Sequence, residues 1–406
     1  MTTPTKTYLT CCATHQIETN PHITDVLVGV CLYRNYVLKL AGNNRLKPVQ
    51  RLVDKDAFAL SECLLLCQGL TDLSYNNITD EGVISLISLI QVRGTLRSLD
   101  LTFNNIGADG AELLSQSLQG NSTLLSLTLS GNKVGRLGGM SLANLLQFNN
   151  TLQALYLARC DLDAQSVIAF AIALKTNQTL RCLDISRSVM SQQQEEWAVH
   201  FSHMLALNKS LQELHLGLKE IMSTGMERLS KGLLFNHSLT YLDLRCNRVM
   251  RDDVQPLVDV LVKESSSLEV LDLSFNQLRD EGAVLLSEAL ASPNCSLKEL
   301  SLCGNNIHSE GLLALAEALS VNSEMTHMYI WGNHFDGPVC VAFRDLIQSG
   351  RLHPDHTDVR AYEVNAHVFL ACVCHNLRKT FYEPENNSSH EISSSGASPV
   401  GMRFYV

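Results

Sequence analysis

Residues 96–106 read LRSLDLTFNNI. Leu96, Leu99 and Leu101 are followed by Asn104 and Ile106, and a Gly- and Ala-rich amphipathic run leads to Gly120 before the same pattern restarts at Leu124. Side chains alternate along a strand, so Leu99 and Leu101 point to one face while Ser98, Asp100 and Thr102 point to the other. Asn104 falls where the chain turns out of that strand. A buried turn leaves peptide N–H and C=O groups without partners, and a short amide side chain can donate to some and accept from others. Stacked copies of the unit would align these asparagines as a ladder.

The unit recurs along most of the chain. Its ladder position falls at Asn76, Asn104, Asn132, Cys160, Ser188, Lys219, Asn247, Asn276, Asn305 and Asn333, at intervals of 28, 28, 28, 28, 31, 28, 29, 29 and 28 residues. The second half of each copy has helical periodicity: Ala111, Leu114 and Leu118 share one face, as do Ala283, Leu286 and Leu290. A repeat of 28–29 residues with a full helix predicts an α/β fold, a right-handed solenoid of about ten repeats with parallel strands inside and helices outside. In this layout, from about residue 36 to 335, the chain resembles the ribonuclease-inhibitor subfamily of leucine-rich repeats.

The expected organisation is an N-terminal cap or flexible segment at 1–35, the solenoid at 36–335, a C-terminal cap at 336–382 and a mostly disordered tail at 383–406. Within the cap, 338–349 reads as a last helix and 358–373 alternates like a terminal strand or hairpin. Residues 36–46 form a degenerate first copy, with Leu38 and Leu40 in place and Arg45 where an aliphatic side chain belongs. Two readings stay open for the longer unit between Ser188 and Lys219, which carries SQQQEEW. One is a convex docking knob anchored by Trp197; the other is a tolerated insertion with Trp197 in the core.

Composition narrows the function. A formal net charge of −10 in 406 residues argues against a general nucleic-acid binder. The first residues lack the basic-then-apolar layout of a secretory signal, and no apolar run approaches a membrane span. Thirteen cysteines in that setting read as free thiols of a reducing compartment, cytoplasm or nucleus. There is no P-loop, nucleophile elbow or H-E-x-x-H pattern, so no enzyme activity, cofactor or small-molecule substrate is expected. Cys372, Cys374 and His375 suggest a metal site, but no second ligand pair stands nearby in sequence, and no metal is assigned. The N-x-[ST] triplets at Asn121, Asn149, Asn177, Asn208, Asn236 and Asn294 all fall at the helix-to-strand turn and read as a structural consensus.

The informative surface is the inner one. Four residues before each ladder position stand Asp72, Asp100, Thr128, Tyr156, Asp184, His215, Asp243, Asp272, Ser301 and Tyr329, with Arg159, Arg187, Glu213, Tyr241, Arg245, Phe275, Glu299, His327 and Trp331 flanking them. Acidic residues interleaved with aromatics and arginines suit a protein interface. The candidate partner-binding residues are Tyr156, Asp184, Arg187, His215, Tyr241, Asp243, Arg245, Asp272, Tyr329 and Trp331, with Tyr329 and Trp331 expected to stand exposed. The expectation is therefore a non-enzymatic scaffold that binds one or more proteins. The resemblance makes nuclear, nucleolar or ciliary assemblies plausible settings. It also implies an alternative, a Ran-type GTPase-activating protein, since those proteins carry the same subfamily repeat.

Overall fold

The computed structural model describes residues 4–29, 38–44, 48–63, 69–91, 96–189, 196–373, 375 and 377. Eleven strands form one parallel sheet in sequence order. They are β1 (Leu38–Lys39), β2 (Gly69–Asp72), β3 (Leu96–Asp100), β4 (Ser126–Thr128), β5 (Ala154–Tyr156) and β6 (Cys182–Asp184). There follow β7 (Glu213–His215), β8 (Tyr241–Asp243), β9 (Val270–Asp272), β10 (Glu299–Ser301) and β11 (His327–Tyr329). A helix follows each strand and packs on the helix of the next repeat. Parallel strands lie about 4.8 Å apart whereas packed helices need about 8–10 Å, so the array curves with the sheet on its inner, concave side.

The leucine positions form the core. Leu99, Leu101, Leu127, Leu155, Leu183, Leu214, Leu242 and Leu271 are all buried between sheet and helices. Carboxylates join successive repeats: those of Asp54, Asp80 and Asp280 accept from the backbone N–H of Thr79, Gly107 and His308 at 2.7, 2.6 and 2.9 Å. Each covers an amide that a helix start cannot satisfy internally.

Asn104 is typical of the ladder. Its Nδ2 donates to the carbonyls of Leu73 (2.9 Å) and Leu101 (3.0 Å), and its Oδ1 accepts from Ile78 N (3.0 Å). The three non-asparagine positions still supply donors. Cys160 Sγ reaches Leu129 O (3.1 Å) and Ser188 Oγ reaches Ile185 O (2.6 Å). Lys219 lies wholly inside, with Nζ donating to Ser188 Oγ (2.8 Å) and sitting 5.5 Å from the Trp197 ring centre. Trp197 is buried against Phe201, which resolves its two readings in favour of the core. The polar residues before it, 191–195, lie outside the described residues, as do Arg45 and Leu46.

A second ladder runs through the helix-to-strand turns. Asn149, Asn177, Asn208 and Asn236 are buried and donate to Leu118, Leu146, Leu174 and Leu205 carbonyls at 2.7–2.8 Å. Their Oδ1 atoms accept from amides two and three residues on, as at Thr151 and Leu152. These N-x-[ST] triplets are turn chemistry.

One residue before each ladder position the backbone turns left-handed. Positive φ occurs at Tyr75, Phe103, Gly131, Arg159, Arg187, Leu218, Cys246, Phe275, Gly304 and Gly332. A non-glycine residue there costs roughly 1–2 kcal/mol, which the surrounding ladder must hold in place. Gly131 is needed for room as well, since a Cβ would meet the Phe103 ring at 2.5 Å.

At the C-terminal end, the helix Gly337–Gln348 and the antiparallel hairpin Val359–Val364 and His367–Cys372 follow β11. Asp358 stands where the next strand would pair: Oδ1 accepts from Ile330 N (2.9 Å) and Oδ2 from Trp331 N (3.0 Å). Those two amides would otherwise be the open edge of the sheet. No helix among the described residues is long and apolar enough to cross a membrane.

Candidate functional site: the concave face

The row four before the ladder is a true register row. Asp72, Asp100, Thr128, Tyr156, Asp184, His215, Asp243, Asp272, Ser301 and Tyr329 pair strand to strand without interruption. Exposure divides it. Asp100, Thr128, Tyr156 and Asp184 are half-buried, whereas His215, Asp243, Asp272, Ser301 and Tyr329 are buried. The expectation of an exposed Tyr329 is thus corrected. Tyr329 is 4 % exposed, because it lies in an apolar cluster with Tyr241, Val270 and Leu377. Trp331 is 39 % exposed.

On the open side, β2–β6, an aromatic and cationic stack borders the row. Tyr75 and Phe103 stack at 4.9 Å, and the Arg159 guanidinium lies 5.4 Å from the Phe103 ring centre. Arg159 reaches across the gap that Gly131 leaves. Arg187 occupies the corresponding left-handed position of the next repeat and is exposed.

On the covered side the polar residues form an ionic network. His215 Nε2 lies 2.6 Å from Glu213 Oε1, and Nδ1 lies 3.2 Å from Asp243 Oδ2. That same Oδ2 accepts from Arg245 Nε (2.8 Å) and Nη2 (2.7 Å), and Asp272 Oδ2 is 3.9 Å from Arg245 Nε. Burial alone would push the His215 imidazolium towards its neutral form. Hydrogen bonds to Asp243, Cys182 and Glu213 outweigh burial and hold it well above the ordinary histidine value. Asp243 is raised by burial but lowered more by His215 and Arg245, and ends below the usual carboxylate range. Burial and the neighbouring Asp243 raise Asp272.

Cys182 completes this site. It pairs with Glu213 across β6 and β7, and the ligand atoms of Cys182, Glu213 and His215 lie within 4.8 Å of one another. The donor types would suit a divalent ion such as zinc. The charges also balance within the protein, as the Glu213 and Asp243 carboxylates face the His215 imidazolium and the Arg245 guanidinium. Burial pushes the Cys182 thiol up to about 11, so it is held as a thiol. Positions 182 and 213 lie six before the ladder, one step beyond the positions that mark the inner face most clearly, and nothing in the spacing singles out Cys182. Of the earlier metal candidates, Cys372 is exposed, Cys374 lies outside the described residues, and His375 Nε2 is 3.7 Å from Asp355. Cys11, Cys12, Cys160, Cys182, Cys246, Cys295, Cys303 and Cys340 are free thiols.

The structure brings His215, Asp243, Arg245 and Asp272 together in one network, and Tyr241 and Tyr329 in the adjoining cluster. Tyr156, Asp184 and Arg187 belong to the open side, and Trp331 stands at the far edge.

Comparison with known proteins agrees with this architecture. The family described as Leucine Rich repeat matches residues 70–86, 95–115, 120–143, 148–171, 235–253, 264–287 and 294–316. A Homo sapiens protein named leucine-rich repeat-containing protein 34 is 47 % identical over 411 residues, spanning 98 % of this chain and 88 % of the human one. Proteins of the same name from Mus musculus and Rattus norvegicus are 40 % identical over 219 and 224 residues. These two matches take in about half of each relative's length, 52 % and 53 %. The solved structure of leiomodin-1 actin-binding site 2 is 18 % identical over 34 % of this chain and 78 % of that one, with a TM-score of 0.31, too low to bear on function here. The chain belongs to the leucine-rich-repeat family and is similar to the proteins named leucine-rich repeat-containing protein 34.

Proposed function

We propose that the chain is a non-enzymatic scaffold that binds a protein partner on its concave face, within an intracellular assembly. The supporting observation is the open tract on β2–β6. There Asp100, Thr128, Tyr156 and Asp184 stand half-exposed on adjacent strands, with the Tyr75–Phe103–Arg159 stack and Arg187 along the rim. Aromatic and arginine side chains on a rigid sheet lose little conformational freedom on binding, which is why they dominate interface energetics. Five strands at about 4.8 Å give a row of roughly 20 Å, the width of one side of a modest interface. Trp331 and Arg245 would extend the contact at the other end.

The test is affinity capture with partner identification by mass spectrometry, using wild type and a Tyr156→Ala, Arg187→Ala variant. The variant should melt like wild type and hold its partner at least roughly tenfold more weakly. If it retains every partner at undiminished affinity, the open tract is not the binding surface.

A further inference from the structure

We propose that strands β6 and β7 carry a zinc-binding site, with Cys182, Glu213 and His215 as protein ligands and a fourth position that faces Tyr156. Nothing in this site depends on where a protein partner docks.

The strands create the cluster. Cys182 and Glu213 are register partners on neighbouring strands, and residues two apart on one strand share a face, so Glu213 and His215 point the same way. Cys182 Sγ, a Glu213 oxygen and a His215 nitrogen therefore converge, within 4.8 Å of one another, and all three residues are buried. Zinc bonds of about 2.0–2.3 Å at tetrahedral angles set ligand atoms about 3.3–3.7 Å apart. His215 Nε2 and Glu213 Oε1, at 2.6 Å, would part by about 1 Å or less to admit the ion.

The donor set selects the metal. Magnesium and calcium take oxygen ligands, whereas a thiolate with an imidazole and a carboxylate suits zinc. Charge is conserved as well. A zinc ion bound to Cys182 Sγ and His215 Nε2 displaces the thiol proton and one imidazolium proton, so two positive charges leave as two arrive. The buried network with Asp243 and Arg245 keeps its balance.

The surroundings are those of a metal ligand. A ligating imidazole characteristically donates its other N–H to a carboxylate, which fixes the ring and its tautomer. Asp243 Oδ2 stands 3.2 Å from His215 Nδ1 and is itself held by Arg245 Nε and Nη2 at 2.8 and 2.7 Å. Asp243 can accept that N–H whether Nε2 carries a proton or a metal. Two tyrosines wall the site: the Tyr156 hydroxyl interacts with the Cys182 thiol, and the Tyr241 ring centre lies 5.0 Å from that of His215. Tyr156 is half-exposed at the border with the open strands, which gives an ion its way in and water the fourth position. An ion-pair network of His215 with Glu213 and Asp243 does not require a thiol at position 182; a zinc site does.

The test uses the full chain, stripped with a chelator and kept reduced, and titrates it with cobalt as a coloured probe and then with zinc. Wild type should take up one equivalent of cobalt with a sulfur-to-metal charge-transfer band, and zinc should displace it with a Kd below about 1 μM and raise the Tm. Cys182→Ser should abolish the band. Glu213→Gln, which keeps the side-chain shape, should keep the band and weaken zinc at least roughly tenfold, and Asp243→Asn should weaken it about 10–100-fold. Cys372→Ser, far from the site on the terminal hairpin, should bind like wild type. No uptake by wild type overturns the proposal, as does a band that survives Cys182→Ser or is lost in Cys372→Ser alone. Should Cys182→Ser fail to fold, Glu213→Gln decides: undiminished zinc affinity in that variant overturns the site. Failure of the Tyr156 and Arg187 capture test leaves these outcomes unaffected, so the two readings fail separately.

Discussion

Strands β3–β6 and strands β7–β9 present one continuous register row to the concave side, yet they solve the problem of a polar inner surface in opposite ways. In the first set Asp100 and Asp184 are half in water, and each accepts from an amide two residues on, Thr102 N at 2.8 Å and Ser186 N at 2.9 Å. In the second set His215 and Asp243 are 1 % and 0 % exposed and depend on each other, on Glu213 and on Arg245. Water supports the charges of the open half; protein partners support those of the covered half. The same strand geometry thus yields a surface ready to be bound and a surface already paired.

The core beneath the two halves is the same, which yields the largest expected effect. Leu99 and Leu244 are both buried leucines of the repeat. Leu99→Asp and Leu244→Asp should each unfold neighbouring repeats, since lost packing alone costs about 2–5 kcal/mol and the buried carboxylate adds to it. Urea melts should place the two variants close together. A large difference would mean that the halves differ in their core and not only in what covers them.

The halves should separate at the register row. Asp243→Ala strands His215 and Arg245 inside the covered half and should cost about 3–5 kcal/mol. Asp100→Ala removes a carboxylate that water can reach and should cost about 1 kcal/mol. The penalty should also depend on pH. Asp243 is depressed, so its contribution is full above the ordinary aspartate value and is lost as pH falls through the depressed one. His215 is raised, so its contribution is full below about pH 6.5 and is lost as pH rises through the raised value. Both are complete between about pH 4 and 6.5, where the destabilisation by Asp243→Ala should be greatest. A penalty that is flat from pH 3 to 9 would show that the network is not ionic.

The ladder runs under both halves alike. Asn104 and Asn276 each bond two leucine carbonyls, and their Oδ1 atoms accept from Ile78 N and Val249 N. Replacing either with leucine should therefore cost a similar roughly 1–3 kcal/mol in denaturant melts. Cys160→Val, at a position with only a thiol donor, should cost less. Unequal asparagine penalties would mean that the covering of the concave face reaches through to the turns.

The contrast between the halves explains what the sequence could reveal. Strand register, the helical faces and the membership of the inner row were legible because each follows from a period of about 28 residues, and Leu99 or Asp272 can be placed by counting. Burial of the second half was not. Tyr241 and Tyr329, for example, share an apolar cluster with Leu377, 136 positions from Tyr241 and outside the repeat, so no periodicity links them. The left-handed turn before each ladder position was also hidden, since Gly131, Gly304 and Gly332 show it but Tyr75, Arg187 and Leu218 do not. The sequence also places Cys160, Ser188 and Lys219 at ladder positions where the other repeats have asparagine. The spacing could not show that a lysine side chain would turn inward and complete the ladder.

That lysine gives the smallest and most specific test, at the boundary between the two halves. Lys219 Nζ is enclosed, donates to Ser188 Oγ and faces the Trp197 ring, and no carboxylate touches it among the described contacts. Burial disfavours the ammonium and lowers its pKa to about 7, against a smaller upward pull from Asp184. Between pH 7 and about 10.5 the unfolded chain therefore binds more protons at this position than the folded one, and stability rises with pH. The slope from this one group is at most about 1.4 kcal/mol per pH unit. His215 acts in the opposite sense, so the wild-type curve alone cannot isolate it. Lys219→Met keeps the volume, removes the titration and leaves His215 in place. Subtracting the variant's unfolding free energy from that of wild type should leave a difference that grows in favour of wild type from pH 7 to 10 and is flat below pH 6. Parallel curves across that range would mean that Lys219 titrates as it does in water, and that the turn at Ser188 opens to solvent where the covered half begins.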